Sequence, residues 1–289
     1  MRRYFLLVVC LCLASLLRAQ NKLELISPNG ELKVSLNLSD KIYYSIDYNG
    51  DVLLKDNSLQ LTLRNQVLGQ NPKLRRQKRT SVDEQLTPIV PLKYAKVNNR
   101  YNQLLLTFKD YSVEFRAFDD GVAYRFTSQK GDVEVMNEEF AINFPSDYLL
   151  HLQQPGGFHT AYEEPYTHVQ SNAWKPEERI AVLPVLIDTQ KDYKILISES
   201  DLADYPCMFL KGTGTNGAIS VFPKAPLAFA ENSDRSVKIT QEADYIAKTK
   251  GTRNYPWRYF VISKNDKQLI ENTMTYKLAE KNQLQDISW

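Results

Sequence analysis

Cysteine is scarce in this sequence, which contains only three. Cys10 and Cys12 fall in an apolar run near the N-terminus that has the character of a leader, so only Cys207 is expected in the mature chain. A single thiol cannot form an intramolecular disulfide, which excludes the class of small exported domains held together by disulfides. No histidine or basic residue adjoins Cys207, and we expect it to be a small buried hydrophobic side chain, not a reactive thiol.

The apolar run itself, from Tyr4 to Leu17, is shorter than the roughly 20 residues that a membrane-spanning helix needs. It follows a basic start, Arg2-Arg3, and is followed by Arg18-Ala19. A basic start, a short apolar segment and a small residue at the end are typical of a secretory signal peptide. We therefore predict a signal peptide over residues 1–19, cleavage after Ala19, and one exported domain over residues 20–289.

The chain has no excess of charge of either sign. Removing the three arginines of the predicted signal peptide leaves 33 Lys and Arg against 34 Asp and Glu. A nearly neutral chain without a basic stripe gives no support to binding of nucleic acid or of an anionic membrane. The one basic cluster, residues 73–79, is predicted to be a solvated loop or strand edge, where charge discourages aggregation.

Helical periodicity is nearly absent and glycine is sparse, at 11 residues, whereas 17 Tyr and 12 Phe suit half-buried pleated sheets. Short segments alternate between apolar and polar residues, and turn signals such as Asn49-Gly50 separate them. This pattern predicts an all-β sandwich with a few short helices, over residues 199–204 and over residues 266–273, the latter capped by Asn265 or Asp266. The predicted strands include 32–38, 41–48, 52–54, 59–63, 103–108, 193–198, 218–221 and 257–262.

All three histidines of the chain, His151, His159 and His168, lie in one short window with two glutamates. Two histidines and a carboxylate are a zinc ligand set, and paired histidines with a carboxylate also serve acid–base chemistry on sugars. However, the spacing is not the i, i+4 spacing of zinc enzymes on a helix, and Gly156-Gly157 marks the stretch as loop. A zinc site and a sugar-mutarotase-type site both remain minor alternatives.

The segment Phe115 to Phe126, FRAFDDGVAYRF, is the most informative in the chain. Strand-forming residues flank Asp120-Gly121, which predicts a β-hairpin with its tight turn there. The segment resembles the hairpin of the N-terminal domain of glycoside hydrolase family 97, whose members cleave α-glycosidic bonds in the bacterial periplasm. Asp119 and Asp120 are interpreted as turn residues and not as a catalytic pair.

Two later segments extend the resemblance over essentially the whole mature chain. Residues 197–206, ISESDLADYP, and residues 253–258, RNYPWR, are similar to segments of the same family in order and spacing. The resemblance implies a β-supersandwich of the galactose mutarotase-like type, a periplasmic location and a carbohydrate substrate with α-linked glucose or galactose. Taken alone, Glu199 and Asp201 are as compatible with turn and cap roles as with ligation.

The segment Tyr162 to Thr167, YEEPYT, resembles a family pattern in which one glutamate of the N-terminal domain ligates calcium. On that alignment the calcium ligand is Glu163, and Glu164 is the nearest rival because a one-residue shift is easy in a loop. Calcium accepts six to eight oxygen ligands in flexible geometry, so two domains can share one ion. The resemblance thus implies one calcium ligand here and the others in the catalytic domain.

Strands and helices do not alternate in this sequence as they would in a (β/α)₈ barrel. In the family the barrel follows the N-terminal domain and carries the two carboxylates that hydrolysis needs. We therefore expect no catalytic residue among these 289 and no glycosidase activity from this polypeptide alone, with a barrel supplied in the same or another chain. Two alternatives stay open: a mutarotase-type enzyme, and a free-standing carbohydrate-binding sandwich that uses aromatic rings of Tyr162, Tyr166 and Trp174.

Overall fold

The computed structural model describes residues 22–90 and 92–283; the predicted signal peptide lies outside them. The first eleven strands are β1 (Lys22–Ile26), β2 (Leu32–Leu38), β3 (Ile42–Tyr48), β4 (Asp51–Leu63), β5 (Gln66–Leu68), β6 (Arg76–Leu86), β7 (Val97–Thr107), β8 (Tyr111–Phe118), β9 (Gly121–Gln129), β10 (Val133–Asn143) and β11 (Leu149–Gln153). The remaining elements are β12 (Tyr166–Gln170), β13 (Ala181–Val182), β14 (Val185–Asp188), β15 (Lys194–Ser200), β16 (Phe209–Gly212), β17 (Gly217–Val221), β18 (Pro226–Ser233), β19 (Ser236–Glu242), β20 (Ala247–Thr249), β21 (Thr252–Asn254), β22 (Trp257–Ser263), α1 (Asp266–Ile270) and α2 (Met274–Leu278).

Twenty of the strands in the described residues form two antiparallel ten-stranded sheets packed face to face, which confirms the predicted β-sandwich. The first sheet runs in the order β1-β2-β3-β4-β10-β17-β16-β13, with β5 on β4 and β20 on β10. The second runs in the order β12-β11-β14-β15-β22-β9-β8-β7-β6, with β21 on β9. Within the described residues, neither helix is long and apolar enough to cross a membrane.

Period-two alternation fixes which side chains face the core between the sheets. In β2 and β3 every second residue is buried, as the sequence predicts for a half-buried strand. Aromatic rings from both sheets meet at the centre, where Tyr44 lies 5.7 Å from Phe115 and 5.6 Å from Tyr124 between ring centroids. Such tilted pairs add favourable ring–ring contact to the apolar area that they bury.

Two hairpin turns were predicted from the sequence. One lies where it was predicted, and the other is displaced by one residue. Asn49 and Gly50 both have positive φ, as the predicted two-residue turn requires. In the second hairpin, Phe118 pairs with Gly121, so the turn consists of Asp119 and Asp120 instead of the predicted Asp120-Gly121. Gly121 is required for a different reason: a Cβ there would lie 2.2 Å from the backbone oxygen of Phe260.

The short-range predictions outside the strands have mixed outcomes. The helix α1 is confirmed, and the side chain of Asn265 caps it by accepting a hydrogen bond from the Gln268 N–H. The helix predicted over residues 199–204 is wrong, because Glu199 and Ser200 end strand β15 and the chain then turns through positive φ at Asp201 and Asp204. The basic cluster at residues 73–79 is exposed and leads into β6, an edge strand of the second sheet, as predicted.

Cys207 is exposed, so the prediction of a buried small hydrophobic residue is wrong. It lies in the turn-rich segment after β15, where the neighbouring residue Met208 is the one that is buried. Partial desolvation raises the pKa of the Cys207 thiol, which disfavours the reactive thiolate.

The strands β18 and β19 form a separate hairpin that hydrogen-bonds to neither large sheet. Its exposed apolar side chains include Leu227, Phe229 and Val237, which are 52%, 57% and 63% exposed. Exposed apolar surface of this kind is typical of contact regions between protein parts.

A buried charged cluster joins the two sheets, and its centre is Arg258 on β22. The guanidinium is fully buried and forms a bidentate pair with Glu138 on β10 of the opposite sheet, at 2.7 and 2.8 Å. It also donates to Glu199, its cross-strand partner on β15. Glu199 in turn accepts the backbone N–H of Met208 at 3.1 Å, which ties the following loop to the cluster.

Burial opposes ionisation of the charged side chains in this cluster. The ion pairs offset this effect to different degrees for Arg258 and for Glu199. Desolvation lowers the pKa of Arg258, but attraction to Glu138 and Glu199 outweighs it and the net direction is upward. Desolvation raises the pKa of Glu199, and attraction to Arg258 only partly offsets the rise. The pKa shifts of Arg258 and Glu199 differ because one guanidinium is shared by two carboxylates. Arg258 is attracted by both, whereas Glu199 shares the guanidinium with Glu138, which accepts two of its hydrogen bonds.

The first stability prediction concerns this cluster. Arg258→Met should lower the free energy of unfolding by about 3–5 kcal/mol, because it leaves two buried carboxylates without their cation. Chemical denaturation measures the change. The matched control is Arg100→Met, whose exposed pair with Asp119 should contribute no more than about 1 kcal/mol. Equal, small effects of both substitutions would refute a structural role for the buried pair.

The second stability prediction concerns Gly121. Gly121→Ala should destabilise the protein by about 1–3 kcal/mol, because the added methyl group overlaps the backbone of β22. The control is Gly131→Ala, where a Cβ would meet nothing within 4 Å and the change should stay within about 0.5 kcal/mol. Thermal unfolding compares the two, and a neutral Gly121→Ala would contradict the close approach.

Candidate metal-ligand loop

The candidate ligand Glu163 lies on the loop of residues 154–165, which connects β11 to β12 at one edge of the second sheet. The two strands pair in register from Leu149–Gln170 to Gln153–Tyr166 and form a regular stem. A loop on a rigid strand pair is a usual place for binding residues, since the stem fixes where the loop projects.

Aromatic packing anchors this loop on the opposite sheet. The rings of Phe158 and Tyr162 lie 5.0 and 5.7 Å from the ring of Phe209 on β16. The Tyr162 hydroxyl also donates a hydrogen bond to the backbone oxygen of Phe158. Tyr162 has a φ of 56°, an uncommon backbone conformation for a bulky residue that often marks a functional constraint. The residue directly after this anchored turn is Glu163.

The structure separates the two candidate glutamates. Glu163 is exposed, and among residues 22–90 and 92–283 its carboxylate forms no hydrogen bond or ion pair. Glu164 lies 3.8 Å from the Arg179 guanidinium, and its backbone oxygen accepts a hydrogen bond from Gln153. Of the two carboxylates, that of Glu163 is therefore the one without an intramolecular partner in the described part of the chain and is available to bind a metal ion.

One free carboxylate can serve as one of the ligands of a calcium ion but cannot complete its coordination. Calcium takes six to eight oxygen ligands, and a carboxylate supplies one or two of them. Within the described part of the chain, no group of three or more His, Cys, Asp or Glu side chains is arranged to hold a metal ion. The oxygen donor and its exposure are compatible with calcium.

The three histidines do not form one site. His151 and His168 face each other across the stem, with their Nδ1 atoms 2.7 Å apart. His159 instead lines a separate hollow beside Tyr205 and Pro206. Desolvation, together with the nearby His168, lowers the pKa of His151, which favours its neutral imidazole. Both minor alternatives need two histidines together with a carboxylate, and within the described residues no Asp or Glu joins the His151–His168 pair in a group that could hold a metal ion, so the zinc alternative loses support.

The three aromatic residues proposed for sugar stacking have different surroundings. Trp174 is 1% exposed and its Nε1 donates to the backbone oxygen of Arg179, so it is a core residue and cannot stack on a sugar. Tyr162 is half-buried against Phe209. Only Tyr166, which begins β12, presents an exposed ring, at 58%. Of the three rings on which the hypothesis of a free-standing binding module depends, one is therefore exposed enough to stack on a sugar.

Asp119 and Asp120 have structural partners, as interpreted from the sequence. Asp119 accepts the backbone N–H of Asn29 and pairs with Arg100. Asp120 accepts hydrogen bonds from Lys277 and from the side chain of Asn272. These contacts dock the hairpin turn on neighbouring segments, as expected of turn residues.

The buried Glu138–Arg258–Glu199 cluster was missed by sequence reasoning, although a signal existed. Arg258 falls on the same parity as Phe260 and Ile262, and Glu138 on the same parity as Phe140 and Ile142. A charge at a core position of a strand predicts a buried ion pair.

A family model described as Glycosyl-hydrolase 97 N-terminal matches residues 25–281. A retaining alpha-galactosidase of Bacteroides thetaiotaomicron is 35% identical over 301 aligned residues, which cover 99% of this chain and 45% of that protein. A probable retaining alpha-galactosidase of Streptomyces bingchenggensis is 26% identical over 62% of this chain and 24% of that protein. The chain thus spans less than half the length of these curated relatives.

Solved structures show the same fold. A glycoside hydrolase family 97 enzyme from Pseudoalteromonas sp. strain K8, in complex with acarbose, matches with a TM-score of 0.76 at 22% identity. The match covers 92% of this chain and 39% of that one. A beta-arabinopyranosidase matches with a TM-score of 0.68 at 21% identity, over 84% of this chain and 40% of that one. At these identities the likeness establishes the fold alone.

Proposed function

This chain belongs to the glycosyl-hydrolase 97 N-terminal family, and we propose that it serves as the non-catalytic N-terminal domain of a periplasmic α-glycosidase. The two curated relatives are named as alpha-galactosidases, which favours α-galactosides as the substrate class. Glycoside hydrolysis needs two carboxyl groups flanking the scissile bond. In this proposal a (β/α)₈ barrel, in the same polypeptide or in another, supplies both.

The contribution of this chain to that active site is one calcium ligand, the carboxylate of Glu163. The observation that carries the assignment is the difference between two adjacent glutamates. Glu163 is exposed and unpaired within the described residues, whereas Glu164 is engaged by Arg179. A ligand for an ion on another domain has to be free in this one.

The residues around Glu163 position it and do not react. Phe158 and Tyr162 hold the loop on Phe209, so the carboxylate projects from a fixed point at the sheet edge. A bound calcium ion supplies fixed positive charge that polarises oxygen atoms and orients the substrate. Tyr166, exposed and close in sequence, offers a ring face on which a sugar can stack.

Export follows from the same proposal. Residues 1–19 carry the signal-peptide pattern, and a periplasmic enzyme for α-glycosides has to be exported. The near-neutral mature chain with a single exposed thiol suits an oxidising compartment without a disulfide.

The calcium assignment is tested in an enzyme that joins this chain to the catalytic part of the Bacteroides relative. Glu163→Gln removes the negative charge while it keeps the shape of the side chain. It should raise the calcium concentration for half-maximal α-galactosidase activity by about tenfold or more, since even partners outside the coordination sphere change metal affinity by 10–100-fold. Calcium titration of the hydrolysis rate gives the measurement.

Glu164→Gln is the matched control, because it removes an adjacent carboxylate that Arg179 already engages. It should leave the calcium titration unchanged. An unchanged titration in Glu163→Gln would sink the assignment, and a shift confined to Glu164→Gln would transfer the ligand role to that residue. Calorimetric binding of α-galactoside oligosaccharides by this chain alone, lost in Tyr166→Ala, would instead support the free-standing binding module.

A further inference from the structure

Two imidazoles meet on the stem of the candidate loop. His151 on β11 and His168 on β12 are directly opposed in the strand register. Their Nδ1 atoms are 2.7 Å apart and their rings stand edge to face, with centroids 4.8 Å apart at 74°. Only one Nδ1 can carry the shared proton, so the other presents a lone pair along the same line.

The pair is open to solvent and has no carboxylate committed to it. β12 is the last strand of its sheet, and His168 is exposed while His151 is half-buried. On the other side of His151, strand β14 places Leu186 opposite it. The nearest charged groups, Asp188 and Lys194, pair with each other at 2.7 Å. A cation at the pair would therefore take its remaining ligands from water.

We propose that His151 and His168 form a bis-imidazole site for one divalent transition-metal ion, with copper(II) bound most tightly. Metal–nitrogen bonds of about 2.0–2.1 Å place two cis nitrogens about 2.9 Å apart at 90° and about 3.3–3.4 Å apart at the tetrahedral angle. The observed 2.7 Å is closer to the 90° arrangement. Square-planar and tetragonal nitrogen sites suit copper(II) and nickel(II), and copper(II) also leads the general affinity order.

Binding conserves protons and electrons. The proton between the rings leaves one Nδ1 for solvent and the same ring is reprotonated at Nε2, so both imidazoles remain neutral. Each ring then turns so that its Nδ1 lone pair, which points at the other ring in the structure, faces an ion beside the line that joins the two nitrogens. Two metal–nitrogen bonds form, two metal-bound waters leave, and nothing is oxidised or reduced.

The ion would clamp β11 to β12 below the loop that carries Glu163. It differs from the proposed calcium site in ligand chemistry, because calcium takes oxygen ligands and imidazole suits transition metals. The two sites therefore respond to different ions and to different substitutions.

The test uses the full chain with Cys207→Ser, because an exposed thiol competes for copper. Copper(II) chloride is titrated by calorimetry, and electron paramagnetic resonance counts the coordinated nitrogens. We expect one ion per chain with two nitrogen ligands. His151→Gln and His168→Gln should each weaken copper affinity by about tenfold or more and leave at most one imidazole nitrogen on the residual ion.

His159→Gln is the matched control, since it removes the histidine that lies away from the pair, and it should leave affinity and nitrogen count unchanged. Glu163→Gln should also leave both unchanged, which separates this inference from the calcium assignment. Metal-free circular dichroism confirms that each variant is folded. Unaltered copper binding in folded His151→Gln and His168→Gln, or an equal loss in His159→Gln, would overturn the proposal.

Discussion

The buried guanidinium of Arg258 imposes the constraint on which the arrangement of the two sheets depends. Apolar side chains hold the inner faces together, and their interdigitated packing is joined by a polar contact with stricter geometry, since hydrophobic attraction by itself has no direction. A fully buried cation has to meet its carboxylates in hydrogen-bonding geometry. Arg258 reaches Glu138 on the first sheet and Glu199 on its own, which ties β10, β15 and β22 in one relative position.

The loop that presents Glu163 depends on that arrangement. Phe209, which receives Phe158 and Tyr162, belongs to the first sheet, whereas the stem of the loop belongs to the second. Only when the sheets are fixed relative to each other does the loop have a fixed outer position. The function proposed here therefore resides at a sheet edge, which the packed interior of the sandwich supports.

Local patterning made most of the fold predictable. Alternation identified strands such as 32–38 and 41–48, and Asn49-Gly50 identified its turn, because both signals act over a few neighbouring residues. The second turn was shifted by one residue because Gly121 is required by its contact with Phe260, a residue distant in sequence. The contacts that sequence reasoning missed are non-local in the same way.

The candidate site was predictable in part. Resemblance selected Glu163 and left Glu164 as a rival, and the contacts of Glu164 with Arg179 and Gln153 distinguish their surroundings. No sequence rule revealed that His168 opposes His151 while His159 lies elsewhere, because this depends on strand register across a loop of twelve residues, 154–165. Burial of Trp174 likewise follows from packing that composition does not specify.

The central claim is that an active-site calcium ion takes one of its ligands from this chain. The most direct measurement is anomalous diffraction from calcium in crystals of the enzyme that joins this chain to a family catalytic barrel. The account predicts a calcium peak with a Glu163 carboxylate oxygen about 2.3–2.6 Å away. A fully ligated calcium ion in that active site, with Glu163 turned to solvent, would contradict it.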